Sequence, residues 1–200
     1  MTSLAQELSA KRRVLRHTAT QITTPDGQSR LEEIRSDGTH VVTPLTPLSP
    51  GFVVDTKPDL RYSRILSGVV LGSQDVAHDL DILTSNKITH ILNVATGIHN
   101  LFEGWFIYKT KEVFDTPACR IIDIFDECCD YIHSAVVGGG CVLVHCNAGV
   151  SRSASVVIAY LMRHYSMNYE EAFNFVKTKR TFVRPNVGFV EQLKEYEQKL

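Results

Sequence analysis

The most informative stretch of the sequence is Cys141-Val142-Leu143-Val144-His145-Cys146-Asn147-Ala148-Gly149-Val150-Ser151-Arg152-Ser153. It opens with four apolar residues in a row, which is typical of a strand covered on both faces. Residues 154–162 then follow the apolar spacing of a helix. A loop between a strand and a helix amino terminus attracts anions, because unpaired N–H groups and the helix dipole meet there. We therefore predict a central strand, an anion-binding loop and a helix.

Short apolar runs alternate with amphipathic segments from about Arg61 onward, as in a sheet with crossover helices. The predicted strands are Ile65–Leu71, Thr89–Val94, Trp105–Val113 and Cys141–His145. The predicted helices are Val76–Asn86, Ile121–Val137, Arg152–His164, Tyr169–Lys179 and Val187–Gln198. We expect an α/β fold with a central, mainly parallel sheet flanked by helices.

Residues 1–60 differ from the remainder, because their apolar periodicity is weak and five of the 7 prolines lie among them. Proline removes a backbone donor and disfavours helix at the preceding residue, so Thr43–Pro50 predicts an extended linker. Only Leu4–Arg16 has a helical pattern, and its basic residues could bind an acidic groove on a partner or simply face solvent. We assign 1–60 to an extension and linker, and 61–200 to the functional domain.

The amino-acid composition argues against some classes of binding partner. The 200 residues carry 21 Lys+Arg against 22 Asp+Glu, a balance that favours neither nucleic acid nor anionic lipid. No stretch approaches the ~20 apolar residues that cross a bilayer, and the first residues lack an apolar signal core. The 5 Cys lack paired metal-ligand spacing, which indicates reduced thiols. We expect neither a nucleic-acid nor a membrane partner. The expected location is the cytoplasm, and the nucleus is a second candidate.

Three side chains of the loop region are candidates for chemistry on phosphorus. Loop donors that hold a phosphate also stabilise a thiolate, and cysteines at helix amino termini reach pKa values of ~3.5–7.5, so Cys146 is the candidate nucleophile. Arg152 can pair two N–H groups with phosphoryl oxygens, and Ser153 can donate to the Cys146 sulfur when it leaves. His145 is expected to orient the loop. The predicted phosphate-binding residues are Asn147, Ala148, Gly149, Val150, Ser151 and Arg152.

The pattern His145-Cys146, five residues, then Arg152-Ser153 resembles the signature of the cysteine-dependent protein tyrosine phosphatases. The stretches Ala159-Tyr160-Leu161-Met162 and Arg184-Pro185-Asn186-Val187-Gly188-Phe189 are similar to motifs of its dual-specificity branch. This resemblance covers about residues 61–200. It implies a protein tyrosine phosphatase-like fold and hydrolysis of phosphotyrosine and phosphoserine/threonine through a phosphocysteine, with no metal or other cofactor.

A general acid must protonate the leaving oxygen. Asp115 follows a predicted strand and matches the family's acid by position. Asp123, Asp126 and Asp130 recur at helical spacing with Glu127, which favours a solvated helix face.

Several other residues allow two interpretations. Asn186 could hydrogen-bond the loop, as the resemblance suggests, or simply cap the helix that begins at Val187. Cys128-Cys129 with His133 could suggest a metal site, although buried thiols are the favoured interpretation. Cys119 or Cys141 could act as a resolving thiol, and ordinary packing is again favoured.

The resemblance to the small atypical subgroup of this branch implies phosphoprotein substrates and partners among kinases of the stress-activated MAP kinase pathway. One alternative is a phosphatase of phosphoinositides or RNA, but the side chains of 147–151 are uncharged, which favours protein substrates. Another is a kinase-binding scaffold or phosphoprotein-binding module with little turnover, which would require a blocked or misplaced site.

Overall fold

The computed structural model of the protein describes residues 18–23, 29–34, 39–44 and 58–200. The chain divides into two compact units, Met1–Pro50 and Gly51–Leu200. The helix predicted over Leu4–Arg16 lies outside the described residues, as do residues 45–50 of the predicted linker.

The first unit contains a three-stranded antiparallel sheet in the order β1-β2-β3. Its strands are β1 (Thr18–Thr23), β2 (Ser29–Ile34) and β3 (His40–Pro44). The sequence predicts no strand here, because stretches such as TATQIT and SRLEEI hold few apolar residues and show no clear alternation. Thr43 and Pro44, placed in the predicted linker, end strand β3, and a proline is tolerated at the edge of a sheet.

The second unit is built on a five-stranded sheet in the order β4-β5-β8-β6-β7. Strand β4 is antiparallel to β5, and the other neighbours are parallel. The strands are β4 (Ser63–Leu66), β5 (Val69–Gly72), β6 (His90–Asn93), β7 (Ile107–Thr110) and β8 (Val142–His145). The mainly parallel α/β sheet predicted from the sequence is confirmed.

Helices cover both faces of this sheet. They are α1 (Gln74–Ala77), α2 (Leu80–Ser85), a 3-10 turn (Ile121–Ile124), α3 (Phe125–Val137), α4 (Arg152–Tyr165), α5 (Tyr169–Lys179) and α6 (Val187–Glu197). Within the described ranges no helix is long and apolar enough to span a membrane.

Strand β8 lies at the centre, and its alternating side chains join two hydrophobic cores. Val142 and Val144 pack in the larger core with residues of α3, α4 and α6. Leu143 points to the other face and packs with residues of α1 and α2. All four residues of the strand are buried, which explains the apolar run Val142-Leu143-Val144 at its start. The loop that follows is therefore held on a rigid support.

Three predicted elements differ from the structure. The strand predicted over Ile65–Leu71 is a hairpin of β4 and β5, because residues 67–68 form a tight turn within the apolar run. The helix predicted over Val76–Asn86 is interrupted, since the Asp79 side chain accepts from the Ile82 amide at 2.9 Å and starts α2 anew. The strand predicted over Trp105–Val113 is only four residues long, because pairing with β6 covers β7 alone.

Candidate active site

The loop between β8 and α4 turns its backbone carbonyls away from its inner side. Each carbonyl of residues 147–151 accepts a hydrogen bond from elsewhere in the fold or from α4. The donors, in order along the loop, are Gln74 N at 2.9 Å, Arg180 Nη2 at 3.1 Å, Arg180 Nε at 2.8 Å, Arg184 N at 2.9 Å and Ser155 N at 2.9 Å. In a planar trans peptide the N–H points opposite to the C=O, so the N–H groups of this loop turn inward. Together with the amino terminus of α4 they form an anion cradle.

Gly149 is required for this backbone path. Its φ is +67°, and a Cβ at this position would lie 2.5 Å from the Gly72 carbonyl oxygen and 2.7 Å from Arg180 Nη2. No side chain fits between these groups.

Arg180 was missed by the sequence analysis. Its side chain is fully buried, with Nε and Nη2 donating to the Gly149 and Ala148 carbonyls and Nη1 donating to the Arg61 carbonyl at 2.8 Å. Burial lowers the pKa of Arg180 below its usual value, and Asp59, with Oδ2 3.6 Å from Nη2, opposes that shift. In sequence Arg180 looks like one of several basic residues at the end of a helix, so no local signal marks it as a support of the loop.

Cys146 lies at the base of the cradle, directly after β8, and it is buried. Its Sγ is 3.2 Å from Ser153 Oγ, which belongs to the first turn of α4. When the sulfur is a thiolate, the serine hydroxyl must be the donor of this contact, since a thiolate has no proton to give. The structure therefore brings Ser153 to the position that the sequence analysis predicted for it.

Arg152 is buried at the rim of the cradle and held from two sides. Nη1 donates to the Val113 carbonyl at 3.1 Å, and Nη2 donates to Asn147 Oδ1 at 2.8 Å. Nε lies 3.5 Å from Asp115 Oδ2 but makes no hydrogen bond among the described residues. The guanidinium plane is thus oriented, and its Nε–H can still donate to an incoming group.

Asp115 is brought to the same rim by the segment after β7. Its Oδ1 accepts from Ser151 Oγ at 2.7 Å and from Asn186 Nδ2 at 2.8 Å. Because both donors occupy Oδ1, Oδ2 is the oxygen left to carry a proton. The side chain of Ser151, predicted to bind phosphate, instead orients Asp115, while its backbone belongs to the cradle.

Asn186 makes both contacts that the sequence analysis weighed. Its Oδ1 accepts from Phe189 N at 3.0 Å and caps α6, and its backbone N donates to Ser151 Oγ at 3.1 Å. Through Nδ2 it also reaches Asp115. One side chain therefore links the start of α6, the loop and the carboxyl group.

Helix α6 also holds the segment that carries Asp115. A Cβ on Gly188 would lie 2.1 Å from the Pro117 carbonyl oxygen, so this glycine lets the two backbones touch. Gln192 donates to the Cys119 carbonyl at 2.8 Å and accepts from Ile122 N at 3.0 Å. Together with the Asn186–Asp115 hydrogen bond, these contacts hold segment 115–122 against α6.

His145 is buried, and burial is the main reason that its pKa falls to about 4. Its Nδ1 lies 3.4 Å from the Cys146 carbonyl oxygen. The ring is neutral at pH 7, which suits a residue that shapes the strand end.

The remaining acidic candidates pair with arginines away from the cradle, and the two adjacent cysteines are buried. Asp123 pairs with Arg120, and Asp126 and Asp130 pair with Arg163. Both cysteines at 128–129 are fully buried in the larger core, and burial raises the pKa of Cys128 to about 12. Among the described residues no group of three or more His, Cys, Asp or Glu side chains is arranged to hold a metal.

Comparison with known proteins agrees with this geometry. The family model described as the catalytic domain of dual specificity phosphatases matches residues 69–199. Dual specificity protein phosphatase 19 of Mus musculus is 42% identical over 200 residues, covering 98% of this chain and 91% of the relative. Dual specificity protein phosphatase 1B of Arabidopsis thaliana is 39% identical over 138 residues, covering 69% of this chain and 83% of the relative.

A solved structure gives the same result. The human tyrosine phosphatase-like serine/threonine/tyrosine-interacting protein matches with a TM-score of 0.67 and 39% identity, over 69% of this chain and 96% of that one. The resemblance stated from the sequence is confirmed. With the sheet, the loop and these relatives in agreement, the chain belongs to the dual specificity phosphatase family and is a dual-specificity protein phosphatase.

Proposed function

We propose that this protein hydrolyses phosphotyrosine and phosphoserine/threonine in proteins through a phosphocysteine on Cys146, without a metal or other cofactor. One observation carries the proposal: Cys146 Sγ lies at the base of a loop with inward N–H groups, 3.2 Å from Ser153 Oγ. Arg152 and Asp115 stand together at the rim of that loop.

In the first step the Cys146 thiolate attacks phosphorus, an S–P bond forms, and the bond from phosphorus to the substrate oxygen breaks. The leaving oxygen takes the proton from Asp115 Oδ2. The loop N–H groups and the Arg152 guanidinium hold the equatorial oxygens, where charge develops.

In the second step water attacks the phosphocysteine and loses a proton to the Asp115 carboxylate. The P–S bond breaks and inorganic phosphate forms. Ser153 Oγ donates to the departing sulfur, which stabilises the thiolate as leaving group. Both protonation states of Asp115 are therefore used in one cycle.

The substrates we propose are phosphoproteins of stress-activated MAP kinase signalling in the cytoplasm and nucleus. The uncharged side chains of residues 147–151 support protein substrates over more highly charged ones. The resemblance to the small atypical subgroup supports the pathway.

The test is phosphate release from a small aryl phosphate and from phosphotyrosyl and phosphothreonyl peptides, with EDTA present. The wild type is expected to release phosphate from all three. Cys146→Ser is expected to release none and still to bind phosphopeptide, because a serine hydroxyl stays protonated at neutral pH. Cys119→Ser, which changes a partly exposed thiol outside the cradle, is the matched control.

Normal turnover by Cys146→Ser would contradict the mechanism. Phosphopeptide binding without turnover by the wild type would favour the alternative, a phosphoprotein-binding scaffold.

A further inference from the structure

A groove of about 710 Å³ opens beside the catalytic loop, and the mechanism above does not use it. Ala148 and Val150 line it, so the loop borders both the groove and the phosphate position. The rest of its lining consists of Pro58, Asp59, Leu60, Arg61 and Phe182. A protein chain with a phosphorylated residue in the cradle can therefore reach this groove.

The two charged side chains of the groove lining, Asp59 and Arg61, form an ion pair. Asp59 Oδ1 accepts from Arg61 Nε at 2.7 Å and from the Arg61 backbone N at 3.1 Å. The Arg61 side chain is 75% exposed, and its guanidinium lies 4.9 Å from the centre of the Phe182 ring. This ion pair leaves little net charge to attract an anion.

The second guanidinium beside Phe182 is not accessible to a ligand. Arg180 lies 4.2 Å from the ring centre, but its side chain is fully buried and all three of its nitrogens donate to backbone carbonyls. These nitrogens are therefore not presented to a ligand in the groove. Contacts with two guanidinium groups also hold the Phe182 ring in place.

Most of the surface left for a ligand is apolar. Leu60 is 47% exposed, and the partly exposed Phe182 ring, Ala148 and Val150 complete the lining with it. The structure describes no acceptor for the terminal nitrogens of Arg61, which can donate to a peptide carbonyl at the mouth of the groove.

We propose that this groove binds an apolar side chain of the phosphoprotein substrate, close in sequence to the phosphorylated residue. This inference rests on the proposed function. An extended chain advances ~3.3 Å per residue, so a side chain about one to three residues from the phosphorylated residue reaches the groove. Leu60 and Phe182 are then specificity-determining residues, and Arg61 orients the substrate backbone.

The test compares phosphotyrosyl peptides that carry Leu, Ala or Glu at the positions flanking the phosphotyrosine. The wild type is expected to show a kcat/KM ~5–10-fold higher for the leucine peptides than for the alanine peptides. This difference is expected to come from a lower KM for the leucine peptides. Leu60→Ser is expected to abolish this preference. Phe182→Ala, a second change in the same groove, is expected to do the same.

Val137→Ser is the matched control, because Val137 is 72% exposed and precedes β8, at the end of the strand opposite the loop. It is expected to keep the leucine preference. Turnover of a small aryl phosphate, which has no flanking residues, is expected to be the same in the wild type, Leu60→Ser and Val137→Ser.

An equal kcat/KM for the leucine and alanine peptides would overturn the inference. So would a preference for glutamate that Arg61→Ala removes, because the groove would then bind anions. If the wild type turns over no aryl phosphate, the proposed function fails on its own. Fluorescence anisotropy then measures the affinity for the same peptides and tests the groove separately. Equal affinity for the leucine and alanine peptides would overturn the inference.

Discussion

Replacing Arg180 by methionine tests the support of the catalytic loop. Methionine keeps much of the length and the contact with Phe182 but removes every donor. The change deletes the hydrogen bonds to the carbonyls of Ala148, Gly149 and Arg61 and the contact with Asp59. Hydrogen bonds from a charged donor contribute ~1.5–3 kcal/mol each, and water entering the site recovers part of that sum. We expect a loss of ~3–5 kcal/mol in the free energy of unfolding, as for breaking a buried ion pair.

That loss corresponds to a fall in Tm of roughly 6–20 °C for a domain of this size. The variant is expected to lose activity even where it is fully folded. Without Arg180 the Ala148 and Gly149 peptides can rotate, and their N–H groups no longer point into the cradle. Loss of one such donor costs ~100–1000-fold in kcat.

The assay is thermal unfolding followed by kcat/KM with an aryl phosphate, both measured well below the Tm of the variant. Arg184→Met is the matched control, because the contact recorded for Arg184 with the loop comes from its backbone N. It is expected to retain both Tm and turnover. A near-normal Tm and kcat/KM for Arg180→Met would refute the argument that this guanidinium holds the loop.

Four further changes test the remaining parts of the site. Asp115→Asn is expected to slow substrates with poor leaving groups most, because the amide has no acid proton to give; a series of aryl phosphates measures this, and equal loss across the series would contradict it. Arg152→Lys is expected to lower kcat/KM strongly, since a point charge cannot make the paired contact, and a near-normal value would exclude that role. Gly149→Ala is expected to lower Tm because its Cβ would meet the Gly72 carbonyl oxygen. The pKa of His145 is about 4 against an ordinary 6.5, so between these pH values the folded chain binds fewer protons than the unfolded chain. The free energy of unfolding is therefore expected to fall as the pH drops from 6.5 toward 4. Denaturant unfolding measured across this pH range should show a smaller fall for His145→Asn.

The part of the site that could be predicted from sequence is the part that local patterns determine. Strand β8, the loop and α4 follow one another without interruption, and their apolar spacing and glycine mark all three. The role of Ser153 follows from its place one residue past Arg152. Spacing along the chain is enough for these assignments, because all the partners lie within a few residues.

The part that could not be predicted depends on contacts between distant residues. Arg180 acts through its burial against the loop, and no pattern around it in sequence reports burial. The β4–β5 hairpin was missed because its turn at Ser67 and Gly68 lies inside an apolar run that is typical of a single strand. Strands β1 to β3 were missed because their sequences contain few apolar residues.

The close contact between Gly188 and Pro117 means that the Asp115 carboxyl group is placed when the protein folds. The segment that carries Asp115 is attached to α6 at Asn186, Gly188 and Gln192. The entropy of placing the carboxyl group is therefore lost once, during folding, and not again in each catalytic cycle. Turnover in such a site does not wait for a lid to close, so its rate should be insensitive to solvent viscosity until product release becomes the slow step.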